Sequence, residues 1–395
     1  MSKRLRDNIK VHISKDVDEI FDIMWESELL MHDYPERSFS YPYHRDLLRL
    51  LQTANPLDIS YYFIEEIDTE TDEETSIGQN QHQNMWRRNQ QKAVQGRYAF
   101  FTIYLNRMDL LTYGKAQWFM NVQTIGFPCS LSVPGYVTND LPWMLAYIKT
   151  IKGCKLVLNV DRKVEARGMA FGETLPTCRL TLRPEHTSLD RYLQSMRSPY
   201  RRRINLAIKR CSDITIRRIP QCNTIIDEQI RQVDEDITCQ MQAGCLDIYP
   251  LYLQTYEKSE YKLECLQQEF FDRVDGEKLI FLRGGKPVGF VLLKVNGSEL
   301  IFMFCGMEYV GDCNADLYYY MLLQIVDYAI EHHCKTIDFG QTSEKTKLKF
   351  GAVLEKKYFY AHHTNPFLNL VALLGKHILE YTYEFPEFRV FKDEE

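Results

Sequence analysis

Twice along this chain a helical stretch gives way to a β-hairpin, a long strand, a polar turn, a second helix and a further strand. No other feature limits the fold so sharply. In the first cycle apolar residues recur at helical spacing over 16–31, and strand-like runs follow at 59–65 and 96–105. A strand over 116–125 leads through the pause GFPCSLSVPG to a helix over 140–152 with Asn139 placed to cap it, and 155–160 is extended. In the second cycle helical segments cover 223–241 and 248–265, and 279–282 and 287–295 alternate around the turn RGGK. A strand over 299–307, a helix over 317–333 and a strand over 336–339 complete it. Between the cycles, 179–182 is extended and 188–210 is helical with an interruption at Pro199. The pattern predicts an α/β (α+β) fold of mixed central sheets flanked by helices, built as a tandem pseudo-repeat: one unit over 1–185 and a second over 186–395. The Gln/Asn-rich stretch between the first two strands predicts a long mobile hairpin loop at about 67–93.

Composition narrows the class. The 45% hydrophobic content of 395 residues supplies a large core for two or three domains. Lys and Arg number 48 against 54 Asp and Glu, so the formal charge of -6 excludes a dedicated nucleic-acid binder and makes any polyanion contact local. An amphipathic segment in place of an apolar run follows the N-terminus, so no secretory signal is expected, and no run of about 18 apolar residues is present. The 11 cysteines lack any Cys-x-x-Cys pair, which fits reduced thiols and a cytoplasmic location. His362 and His363 are adjacent and not at ligand spacing, so no metal is expected.

Residues 302–352 carry the strongest chemical signal: strand, turn, long helix, strand and the start of another helix. The turn exposes free backbone amides around 314–317, which favour a phosphate or carboxylate, or simply belong to an ordinary capped helix. With that order of elements and the string IDFGQTSEKTKLKFGA, the chain resembles the N-acyltransferase superfamily related to GCN5 (GNAT). It is most similar to its two-domain branch of FemAB-like and BioF2-like enzymes, and TKLKFGA, SPYRRRINLAIKR and the segment 248–271 also resemble that branch.

The resemblance implies a donor lying between splayed strands at 299–307 and 335–339, its carbonyl polarised by backbone N–H groups and attacked directly by an amine. The donor it implies is acyl-CoA as co-substrate, the acceptor a small-molecule or peptide amine. It implies cofactor contacts at Gly311, Asn314, Ala315 and Asp316, although this chain departs from the family's Gly-rich pyrophosphate loop with Asp312 and Asp316 there; carboxylates beside a pyrophosphate repel it unless they point away, and either aspartate could instead complement the helix dipole. Lys347 and Lys349 match the branch's Lys-rich motif, where such a lysine steadies phosphate or a developing oxyanion.

Asp338 reads as a general base or amine anchor, or as a cap for the turn after it. Gln341, Thr342 and Ser343 stand where substrate contacts lie. Tyr318, first of three consecutive tyrosines, is a candidate general acid. Arg201, Arg202 and Arg203 with Lys209 and Arg210 suit nucleotide phosphates or a tRNA acceptor stem, or form a solvated face; the first use would fit an aminoacyl-tRNA-dependent transferase, the only reading that calls for nucleic acid. A third reading is a catalytically inactive binding protein with this fold. The apolar stretch 366–385 would contact a membrane surface or acyl chain, or complete a core or dimer contact.

Overall fold

The computed structural model describes residues 9–67, 96–109, 119–220, 247–262, 264–309 and 314–392. The expected loop, from residue 68 on, and the expected helix over 223–241 lie outside them. The first half contributes β1 (Ile9–Ser14), α1 (Val17–Met24), α2 (Glu28–Asp33), α3 (Arg45–Ala54), β2 (Ile59–Ile67), β3 (Gly96–Asp109), β4 (Phe119–Ile125), β5 (Tyr136–Thr138), α4 (Leu141–Ile148), β6 (Cys154–Val160) and β7 (Ala170–Thr181). The second contributes α5 (Leu189–Ser195), α6 (Ser198–Arg210), β8 (Ile214–Ile219), α7 (Tyr249–Lys258), α8 (Gln268–Arg273), β9 (Glu277–Arg283), β10 (Lys286–Asn296) and β11 (Glu299–Met307). It ends with α9 (Asn314–Glu331), β12 (Thr336–Asp338), α10 (Glu344–Leu348), β13 (Val353–His363), α11 (Pro366–Leu374) and α12 (Lys376–Leu379).

Local chemistry explains where these elements depart from expectation. The helix expected over 16–31 is two, because the Ser27 hydroxyl accepts the Leu30 N–H at 3.4 Å and starts α2 afresh. Asp140, not Asn139, caps α4, accepting the Trp143 N–H at 2.9 Å. Asn139 instead accepts the Tyr98 N–H at 3.0 Å and so ties the helix entrance to β3. Pro199 opens α6 where it was expected to interrupt a longer helix; a first-turn proline loses no hydrogen bond, and the break falls at Met196 and Arg197.

The thirteen strands of the described residues form one sheet. Twelve of them run in the order β1-β2-β3-β4-β6-β13-β7-β12-β11-β10-β9-β8, with β5 paired beside β3. Read from either edge, the roles repeat: three antiparallel strands and then a parallel pair, β4 with β6 and β11 with β12. At the centre the halves exchange their last strands, so β13 pairs with β6 and β7 pairs with β12. The tandem pseudo-repeat is thus present as a single mixed sheet that has no break at residue 185. One apolar cluster on one face joins α1 to α3 of the first half to α7 and α8 of the second, while α4 and the α5, α6 and α9 group cover the other face.

The parallel pair in the second half is short. It runs only from Glu299 opposite Thr336 to Ile301 opposite Asp338. Just beyond, Leu292 pairs with Phe304 and Leu293 with Phe302, so Met303 is an extra residue in β11. Such a bulge bends its strand, and β11 turns away from β12 as Phe339 bonds to Cys178 of β7 instead. The strands splay, as the resemblance implies.

Candidate active site

A cleft of about 1410 Å³ opens along this splay and reaches across the central strands into the first half. One wall comes from the loop 126–135, of which residues 130–134 line the cleft. Gly126 and Gly135 close this loop on itself, since a Cβ on Gly135 would stand 2.0 Å from the Gly126 carbonyl carbon. Asn55 bonds the Pro128 carbonyl, the Tyr43 hydroxyl donates to Pro134 O at 2.6 Å, and Asn159 donates to Leu131 O at 3.2 Å. A loop pinned at that many points holds its side chains still.

Two serines of the loop each meet a carboxyl group of the second half. Ser132 donates to Asp338 at 2.9 Å, and Thr177 and the Gly340 N–H also donate to Asp338, at 2.7 and 2.8 Å. Both oxygens of Asp338 are therefore engaged. Ser130 donates to Oε1 of Glu264 at 2.9 Å, but Oε2 of Glu264 is buried without a partner among the described residues. Burial pushes the Glu264 carboxyl up to about 7, against the lowering effect of Ser130. A cleft carboxyl with a free oxygen and a pKa near neutrality has the attributes of a general base.

After Asp338 the backbone turns through Gly340, Thr342 and Ser343, all at positive φ, a conformation that costs energy for the last two. Lys347, 2% exposed, clamps this turn by donating to Gly340 O at 3.3 Å and Gln341 O at 2.7 Å. Burial lowers the Lys347 ammonium, opposed by Cys178, Cys305, Glu344 and Asp338. The Gln341 side chain donates to Asn159 at 2.9 Å and to Leu175 O at 2.6 Å, joining the turn to β6 and β7 of the first half. Tyr318 lines the cleft, and burial holds its phenol protonated well above its usual range. Cys305 is pushed up to about 11, which leaves a thiol and no nucleophile at neutral pH. Its backbone N–H, two residues before that of Met307, which donates to Thr255, points by strand alternation to the same side, away from β10.

At the N-terminus of α9, Ala315 is exposed to the cleft. Asp316 is not: its carboxylate turns onto α6, bound by Arg203 at 2.7 Å and Arg210 at 2.8 Å. The expected repulsion is thereby removed, because two guanidinium groups outweigh one carboxylate. Gly311 lies outside the described residues, as does the Asn314 side chain. Arg201 and Arg202 on α6, and Lys349 just after α10, are not among the residues that line the cleft, contrary to their expected placement there. At the other end of the cleft Lys155 and His362 sit side by side on β6 and β13. Burial lowers Lys155 to about 8, and burial with Lys155 and Lys149 nearby lowers His362 to about 4.

No family model matches the chain. No curated protein sequence matches it either. Among solved structures it is similar to L-PGS from Bacillus licheniformis, at 10% identity over 71% of this chain and 86% of that one, with a TM-score of 0.41. FemX is similar at 14% identity over 71% and 88%, TM-score 0.38. A tandem GNAT protein from the clavulanic acid biosynthesis pathway is similar at 7% identity over 90% and 99%, TM-score 0.40.

Sequence reasoning placed Asp338, Lys347, Tyr318, Ala315, Gln341, Thr342 and Ser343 together, and all of them line one cleft. It missed Glu264, Ser130 and Ser132. The one available signal for Glu264 was a single acid set in the apolar run Leu-Glu-Cys-Leu; the serines carried none, since their role depends on a partner far away in sequence.

Proposed function

We infer that the protein is an N-acyltransferase that passes an acyl group from a thioester of the acyl-CoA kind directly to an amine, with Glu264 as the base. The observation that carries this reading is the Glu264 carboxyl in the wall of the cleft, held by Ser130 through one oxygen, with its second oxygen buried and without a partner among the described residues. The amine nitrogen attacks the thioester carbon, its proton passes to Glu264, and the thiolate leaves and takes up a proton. The Cys305 N–H would steady the negative charge on the carbonyl oxygen. Asp338, fully engaged, keeps the turn at Gly340 in place and does not take the proton. The amides at the start of α9, with Arg203 and Arg210 close behind, would receive the donor's phosphates. At the far end of the cleft His362, lowered to about 4, is a neutral imidazole near pH 7, and Lys155 beside it is the cation.

The test follows release of free thiol from acetyl-CoA across a panel of primary amines. Glu264→Gln keeps size and the Ser130 bond but removes the base, so kcat/KM should fall by about 100-fold or more, with loss of the limb that rises near pH 7. Equal turnover by wild type and the Gln variant, with the same pH profile, would exclude Glu264 as the base.

A further inference from the structure

Every residue of α11 except Asn369 is apolar, yet no residue of α11 or α12 is buried. Phe367 is 71% exposed, Leu374 75% and Ile378 55%, and Leu370 and Val371 lie beside them. The helix is nonetheless firmly seated. Asn365 caps it, Asn369 donates to Gly168 O at 3.0 Å, and Thr364 and Gly153 bond each other in both directions. These anchors place two basic segments against it. The turn after β6 brings exposed Arg162, Lys163 and Arg167, and the end of α4 brings Lys149 and Lys152. Lys163 and Lys376 lie 4.7 and 5.0 Å from the ring of Phe171. Against these cations the same two segments carry only Asp161, paired with Lys357, and Glu165.

We propose that α11 and α12 dock the protein on the surface of an anionic phospholipid bilayer, the apolar side chains entering the interface and the basic rim meeting the headgroups. Charge complementarity selects this occupant. The chain as a whole carries a formal charge of -6, so a basic rim around its most exposed apolar face runs against the average. A second copy packed on this face about a two-fold axis would set each basic rim against another. A short helix with aromatic and leucine residues on one side and cations around it is the composition that settles in the headgroup layer. Leu368, Val371 and Ala372 also line the cleft, so docking would bring the cleft mouth to the bilayer.

The experiment is co-sedimentation with vesicles of phosphatidylcholine alone and of phosphatidylcholine mixed with phosphatidylglycerol, at low and at physiological salt. The wild-type protein should bind the mixed vesicles, more weakly as salt rises, and bind the neutral ones poorly. Phe367→Glu with Leu374→Glu should weaken binding by about ten-fold or more while leaving the melting temperature unchanged, because both side chains stand in solvent. Lys163→Glu with Arg167→Glu should remove the preference for anionic vesicles. Absence of wild-type binding would overturn the proposal, as would unchanged binding by the Phe367/Leu374 variant. A wild-type dimer that this variant turns into a monomer would assign the face to a second copy. No arm measures turnover, so the result stands apart from the acyl-transfer reading.

Discussion

Glu264 makes a prediction about stability as well as rate. Its carboxyl holds a proton more tightly in the folded chain, at about 7, than the 4.5 of an unperturbed glutamate. A group of that kind favours the folded state below about pH 4.5, and the advantage is lost progressively as pH rises through 7. The loss is on the order of 3 kcal/mol across that window. Lys347, lowered by burial, works in the opposite direction and loses stability as pH falls. The wild-type melting temperature minus that of Glu264→Gln should therefore fall between pH 5 and pH 8, and scanning calorimetry at matched salt would measure it. A constant difference would place the carboxyl in water. Asp338 could be read in the sequence because it ends a short apolar strand before a Gly turn. Glu264 could not, because what perturbs it is the burial and the Ser130 contact that the fold supplies.

Elements were legible where one period ran uninterrupted. The alternation around RGGK and the apolar run of β11 gave the hairpin and Glu299–Met307 directly, whereas only three of the twelve residues of β7, Arg179 to Thr181, fell in the run read as extended, because the strand contains Pro176 and Gly172. A proline is tolerated within a sheet at a bulge, and the register of β7 against β13 shifts at that point. β13 went unread because Lys356 and Lys357 break its alternation, although Lys357 is buried on Asp161. The basic helix α6 was legible as a helix but not as the partner of Asp316, a contact between residues more than a hundred positions apart. At the start of α9 the prediction is steric and electrostatic. Ala315→Glu adds a carboxylate at an exposed position in the cleft, so the protein should fold normally and lose the rise in melting temperature that CoA gives the wild type. A wild-type response to CoA in the folded variant would remove α9 from the donor site.

At the scale of the molecule the exchanged strands decide what can stand alone. Residues 1–185 contain β6 and β7, but β13 separates them in the sheet and comes from residues 353–363. The fragment 1–185 is therefore expected to show no cooperative melting by circular dichroism, and co-expression with 186–395 should restore a single transition. A cooperative transition in the isolated fragment would mean that β6 and β7 can pair directly.

The same exchange sets a timetable during synthesis. When β6 leaves the ribosome, one of its two neighbours, β13, is still roughly 200 residues away, and at ordinary elongation rates the wait is on the order of 10–40 s. Throughout it one edge of the strand is unpaired, the kind of edge that can pair with another chain. A stop codon anywhere before residue 353 would spoil both halves at once, and a gene rearrangement that separated them would inherit neither.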